Sequence, residues 1–299
     1  MRATKKIIKS LIPKPVLRHI IRPVLRHIEL SKQAKALRNF YFGRQLSKLK
    51  PILRESGETH NFTYDLTDEN LRYLAEVVAV ATNKPPIEIE GFILEAINDR
   101  ELRAHFDSRM STYEGQRSPA NVKSPFGRRL GWYAVARAIK PRLIVETGVE
   151  RGHGALLLCA AQLRNGEEGA PGRYLGTDIN PSAGYLLSGK YQTVGEILYG
   201  DSIVSLREIA EPIDLFINDS DHSADYEADE YRAIASKLSA DAIILGDNAH
   251  VTDKLARFSR ETSRSFLMFK EHPKDHWYPG AGIGISFLRR VTSTTQVKL

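Results

Sequence analysis

The strongest constraint on this chain is a change of texture near Ser124, after which short apolar runs alternate with amphipathic helical stretches. Strands buried on both faces read as near-continuous apolar runs, so this alternation predicts a parallel sheet covered by helices. Leu143-Ile144-Val145 reads as a buried strand, followed by a helix through Leu156 to Leu163. Tyr174-Leu175-Gly176-Thr177 reads as the second strand, Leu215-Phe216-Ile217 as a later one and Ala242-Ile243-Ile244-Leu245 as the next. Phe266 to Phe269 and Ile283 to Leu288 are joined by a long turn containing Pro273, Trp277, Pro279 and Gly280, so the sheet is expected to end in an antiparallel pair.

Upstream of Ser124 no strand periodicity appears. Residues 51–125 read as a helical cap, with one helix started by Asp68-Glu69-Asn70 and stopped before Pro85-Pro86, a second through Ile87 to Ala96 and a third from Asp99. Residues 108–124 are rich in Ser, Gly, Pro and Asn and read as a loop. Residues 1–50 carry fourteen Lys or Arg and one acid, a net +13, whereas the remainder is at −6. Within that arm Pro15-Val16-Leu17-Arg18-His19-Ile20 returns as Pro23-Val24-Leu25-Arg26-His27-Ile28, each copy a helical segment opened by its proline. The apolar residues keep helical spacing between the bases, a basic amphipathic pattern that suits an anionic membrane surface, a nucleic-acid tether or a helix packed on the acidic body.

Charge recurs too often through the arm for a membrane span, and the cleavable pattern of a secretory signal is missing. The single cysteine, Cys159, excludes an intrachain disulfide and a cysteine metal cluster. A cytoplasmic protein, peripheral on the inner membrane face if the arm anchors it, is the expectation; a homo-oligomer is compatible with it.

The chemistry begins where Leu143-Ile144-Val145 runs into Glu146-Thr147-Gly148-Val149-Glu150-Arg151-Gly152-His153-Gly154. A strand entering a glycine-rich turn and then a helix lets the backbone pass close to a ligand, and the helix N-terminus favours electron-rich groups. Alone, the three glycines could equally make a tight turn. Asp178 follows the second strand, where a carboxylate can accept ribose hydroxyls, and Tyr199-Gly200-Asp201-Ser202 precedes a helix where a polar pair could meet an adenine edge.

Glu146-x-Gly148-x-x-x-Gly152, Asp178 after strand two and Gly200-Asp201-Ser202 resemble the successive motifs of the class I methyltransferases, over about residues 126–290. The resemblance implies a Rossmann-like sheet, mostly parallel with an antiparallel last strand, over residues 126–299, preceded by the N-terminal helical extension. It also implies S-adenosylmethionine bound by Glu146, Gly148, Gly152 and Gly154, with Asp178 on the ribose and Asp201-Ser202 near the adenine.

The densest polar cluster, Asn218-Asp219-Ser220-Asp221-His222, closes an apolar strand, and the next strand closes on Gly246-Asp247-Asn248-Ala249-His250. Asp219, Asp247 and Asn248 would present three oxygens to one point, which suits a hard divalent ion such as magnesium. Here the resemblance narrows to the metal-dependent, catechol-type O-methyltransferases, which place a lysine base three residues after the first metal Asp; this chain has His222 there. The expected reaction is O-methylation of a small-molecule or glycan hydroxyl assisted by the metal and a His222 base. The alternatives are a metal-dependent hydroxylase-like or lyase-like relative, or a non-catalytic cofactor-binding module. Asp221 and Asp225 also read as helix N-terminal acids and His250 as structural. The acidic body argues against a nucleic-acid substrate.

Overall fold

A computed structural model describes residues 22–39, 43, 63–114, 124, 126–221 and 223–289. The chain divides into two compact units, Met1–Thr59 and His60–Leu299. In the first, helix α1 (Arg22–Leu37) opens beside Pro23, so the second copy of the repeat is helical, and residues 29–36 are exposed. The first copy lies outside the described residues. Among the described residues no helix is long and apolar enough to cross a membrane.

The second unit begins with three helices, each started by local chemistry. The Thr67 hydroxyl accepts from the Asn70 N–H at 3.2 Å and caps α2 (Asp68–Thr82); Pro86 opens α3 (Pro86–Asn98); the Asp99 carboxylate accepts from the Leu102 N–H at 2.9 Å and caps α4 (Arg100–Ser111). After α5 (Leu130–Ile139) come β1 (Leu143–Thr147), α6 (His153–Glu167), β2 (Arg173–Asp178), β3 (Gly195–Tyr199), α7 (Ser202–Glu208), β4 (Ile213–Asn218), α8 (Ala224–Ile234), β5 (Leu238–Gly246), α9 (Lys254–Glu261), β6 (Ser265–Lys270) and β7 (Gly282–Phe287).

The strands form one sheet in the order β3-β2-β1-β4-β5-β7-β6. The first five are parallel, and β7 runs antiparallel to both β5 and β6. This is the mostly parallel sheet with an antiparallel last strand that the sequence leads one to expect. The edge strand β3 goes unrecognised in the sequence because Gly195-Glu196-Ile197-Leu198-Tyr199 neither alternates cleanly nor forms a buried run; Glu196 and Tyr199 are exposed.

Both faces of the sheet are buried, by alternating residues of the same strands. Ile144, Leu215, Ile217, Ile243 and Leu245 point into a core shared with Leu74, Val78, Ile89, Ile93, Phe106 and the inner side of α5 and α6. Leu143, Val145, Phe216 and Ile244 point into a second core with Leu206, Tyr231, Ile234 and Leu255. The described part of the helical region thus packs as a layer on the sheet. Arg137 locks that layer, reaching Glu95 on α3 at 2.7 Å, Glu168 after α6 at 2.5 Å, and Asn165.

The strand order reverses at β1, which lies between β2 and β4, and in open sheets of this kind ligands bind beyond the carboxyl ends of the strands at such a reversal. Among the described residues, those singled out for binding or chemistry lie at or next to the ends of β1, β2, β3, β4 and β5 on that edge.

The largest fully buried side chain is Trp132, on α5 between the sheet and the outer helices. Trp132→Ala should therefore cost about 3–5 kcal/mol of unfolding free energy. Val80→Ala, at a position 56 % exposed, should change it by less than about 0.5 kcal/mol. Denaturant midpoints of the two variants test this; equal midpoints would refute the packing described for α5.

Candidate active site

The turn after β1 is built by close backbone approach. Gly148 adopts φ +82°, its N–H donates to the Thr177 carbonyl at 2.9 Å, and a Cβ placed on it would fall on the carbonyl oxygen of Asp219. Glycine is required there both for the left-handed backbone and for the space. Gly152, at φ +92°, is the residue before α6, and Gly154 lies in its first turn, directly above the Glu146 carboxylate.

Glu146 lies beneath the turn. It is 1 % exposed, and its carboxylate accepts from the Tyr174 hydroxyl at 2.6 Å. Burial pushes Glu146 up to about 7, against the lowering effect of the Tyr174 hydrogen bond. Its place is that of a support for Gly154 and the start of α6.

Asp178, at the end of β2, clamps the same turn from the other side. One carboxylate oxygen accepts from the Val149 N–H at 3.0 Å and the Glu150 N–H at 2.8 Å, and the other from the Asn180 N–H at 2.8 Å. A carboxylate has about four lone-pair directions, so three backbone donors leave capacity for a hydroxyl. The next residue, Ile179, is 82 % exposed, an apolar side chain beside a polar clamp to which the sequence reading gave no role.

Asp201 and Ser202 are divided. The Asp201 carboxylate caps α7 by accepting from the Val204 N–H at 3.0 Å and remains exposed. Ser202 is buried and turns inward, its hydroxyl meeting the Tyr226 hydroxyl at 2.9 Å and donating to Glu230. Glu230 also accepts from Thr147 at the end of β1, at 3.0 Å, and from Asn218 at the end of β4. The sequence held a signal for this hub, because Glu227, Glu230, Tyr231 and Ile234 share one buried stripe of α8.

Asp219 and Asp247 do come together at the ends of β4 and β5. Burial, and then the Asp247 charge, hold Asp219 well above the usual carboxylate range. Asp247 is 2 % exposed and heads the 3-10 turn Asp247–His250, which carries Asn248 along its backbone; the Nδ1 atom of His250 lies 3.0 Å from the Asp247 carbonyl. Asp221 accepts from the Ser223 N–H at 2.7 Å, and Asp225 lies in the first turn of α8. His222 lies outside the described residues.

The sequence reading missed the partners of this acidic pair. Arg128 and Arg129 enter from the 3-10 turn Gly127–Arg129: Arg128 donates to Asp247 at 2.7 Å and Arg129 to Asp219 at 3.4 Å. Behind Arg128, Tyr64 donates to the buried Glu271 and accepts from the Ala281 N–H at 3.1 Å. His153, first residue of α6, is buried against Phe106 and held down to about 3 by burial and the charges of Arg129 and Arg151, so its ring is neutral.

The donor set fits a divalent ion poorly. Two carboxylates face two guanidiniums, and a dication about 4 Å from one guanidinium would be repelled by about 8 kcal/mol at an effective dielectric of 20. Among the described residues no group of three or more His, Cys, Asp and Glu side chains is arranged to hold a metal.

Residues 145–249, from β1 to the turn after β5, match the family model described as a methyltransferase domain. None of the curated proteins matches the chain. Among solved structures, the chain is similar to the O-methyltransferase TomG of Streptomyces achromogenes, involved in tomaymycin synthesis and solved with its methyl donor, at 14% identity and a TM-score of 0.46, over 64% of this chain and 92% of that one. It is also similar to a methyltransferase of Podospora anserina bound to S-adenosylhomocysteine, at 17% identity and a TM-score of 0.46, over 78% of this chain and 100% of that one. A third is an O-methyltransferase of Bacillus cereus, at 13% identity and a TM-score of 0.41, over 74% and 99% of the two chains.

The geometry makes two expectations. Asp178→Ala should weaken S-adenosylmethionine binding by about 1.5–3 kcal/mol, because the turn loses its clamp and the ligand a charged acceptor. Calorimetry showing unchanged affinity in a folded variant would remove Asp178 from the site. The second concerns Glu146, whose proton is held more tightly in the folded chain than at the ordinary value of 4.5. The stability that protonation contributes is complete below about pH 4.5 and lost as the pH rises through about 7, on the order of 3 kcal/mol. Unfolding curves for Glu146→Gln should lack that decline, and parallel profiles for the two proteins would show that Glu146 is not held protonated.

Proposed function

We propose that this chain, a methyltransferase by the domain it carries over residues 145–249, transfers the methyl group of S-adenosylmethionine to a hydroxyl oxygen of a small-molecule or glycan acceptor. One observation carries the reading: Gly148 packs on the Asp219 main chain, so the turn suited to the methyl donor and the carboxylate suited to the acceptor's proton are neighbours.

When bound, the sulfonium supplies an electrophilic methyl carbon; the chain has to bind, orient and deprotonate. The glycine turn gives close approach, Asp178 offers its remaining lone pair to a ribose hydroxyl, and Ile179 offers an apolar face to the base. Burial raises Asp219 above the usual carboxylate range, which makes its carboxylate a stronger proton acceptor. His222, which the resemblance implies as base, follows Asp219 three positions later in the sequence. As the acceptor oxygen bonds to the methyl carbon, the carbon–sulfur electron pair stays on sulfur and the hydroxyl proton passes to one of these two groups.

The divalent ion implied by the resemblance is no part of this reading, since the guanidiniums of Arg128 and Arg129 already oppose the acidic pair. The basic arm, residues 1–50, fits an anionic surface; α1 within it exposes Leu30, Lys32 and Lys35.

The full chain incubated with methyl-labelled S-adenosylmethionine and a panel of hydroxyl-bearing small molecules and glycans should label an acceptor oxygen. Asp219→Asn and His222→Ala should both slow transfer with donor affinity intact, the residue that takes the proton by about 10²- to 10⁴-fold. Label on nitrogen or carbon alone, or donor binding without transfer to any acceptor, would refute the reading.

A further inference from the structure

Arg128 and Arg129 are built into the site. They follow Gly127, whose φ of +47° and close approach to the Tyr64 carbonyl leave no room for a Cβ, and the Arg129 N–H donates to the Phe126 carbonyl at 2.9 Å. Arg129 then stands 5.2 Å over the ring of the buried Trp132. Each arginine side chain is only 13% exposed. A surface arginine can swing away to admit an ion; these two are held by a tight glycine turn, an indole face and the carboxylates themselves.

Two guanidiniums oppose Asp219 and Asp247, and Arg128 also faces Glu271, whose carboxylate takes the Tyr64 hydroxyl. Arg128 Nε, Arg129 Nε and Asp247 Oδ1 are buried without hydrogen-bond partners, so the cluster keeps both donor and acceptor capacity unused.

We propose that Arg128 and Arg129 supply the positive charge of this site in the place of a divalent ion, so that the Asp219–Asp247 pair binds none. In methyl transfer their donors would face the acceptor oxygen as it loses its proton. The proposal concerns the same site as the methyl transfer above, and its test reads ion binding, so either can fail alone.

The test is a titration of the full chain with manganese alone, followed by electron paramagnetic resonance of the free ion and by calorimetry. The wild type should show no site that depends on Asp219 and Asp247. The double variant Arg128→Leu/Arg129→Leu uncovers the carboxylates and should bind manganese at least about tenfold more tightly. That gain should vanish when Asp219→Asn and Asp247→Asn are added. Cooperative unfolding and retained affinity for S-adenosylmethionine establish that each variant is folded; if the double variant is not, Arg129→Leu, which breaks the longer ion pair, is read in the same way. Manganese binding by the wild type that Asp247→Asn abolishes would overturn the proposal, and so would a folded arginine variant that gains no binding.

Discussion

The carboxylate of Glu230 holds the functional edge of the sheet together. A carboxylate with no exposed surface is costly unless donors surround it, and Glu230 finds them on Thr147 at the end of β1, Asn218 at the end of β4 and Ser202 at the start of α7. Satisfying that one side chain fixes the relative height of two strands and a helix. The β1 turn can then pass over Asp219 with only a glycine's clearance. The site's positioning therefore rests on a buried carboxylate bonded to Thr147, Asn218 and Ser202.

Two further acids, buried Glu146 and half-buried Asp178, work in the same manner. Glu146 sits under the first turn of α6, and Asp178 draws in the backbone N–H groups of Val149 and Glu150. Between them the glycine turn has little freedom, which favours a ligand recognised by backbone approach rather than by mobile side chains. The other half of the site is organised by charge balance. Arg128 and Arg129 come from the Gly127–Arg129 turn before α5, and the carboxylates they meet come from the ends of β4 and β5, so an ion-paired cluster is assembled from parts far apart in the chain.

This division explains what could be read in advance. Strands buried on both faces have to be apolar runs, and six of the seven are visible as such; β3 is missed because an edge strand with exposed Glu196 and Tyr199 carries no such run. Caps and breakers act within a few residues, so Thr67, Pro86 and Asp99 mark helix starts legibly. Asp178 and the glycines could be placed because a strand, its turn and the next strand are close in sequence as well as in space.

The amino-acid sequence by itself determined the class of sheet, its antiparallel close, the glycine turn and the gathering of Asp219 and Asp247 at neighbouring strand ends, because all of these follow from local periodicity and from the rule that ligands gather beyond the carboxyl ends of strands. Tertiary structure decided what opposes those carboxylates and which way Ser202 and Glu146 turn. An acid in a sequence shows its charge but not its counter-charge, and the counter-charges here arrive from residues 119 and 90 positions away. Spacing along the chain offers an ion and an arginine pair equally; only the packing of the Gly127–Arg129 turn against Tyr64 and Trp132 selects between them.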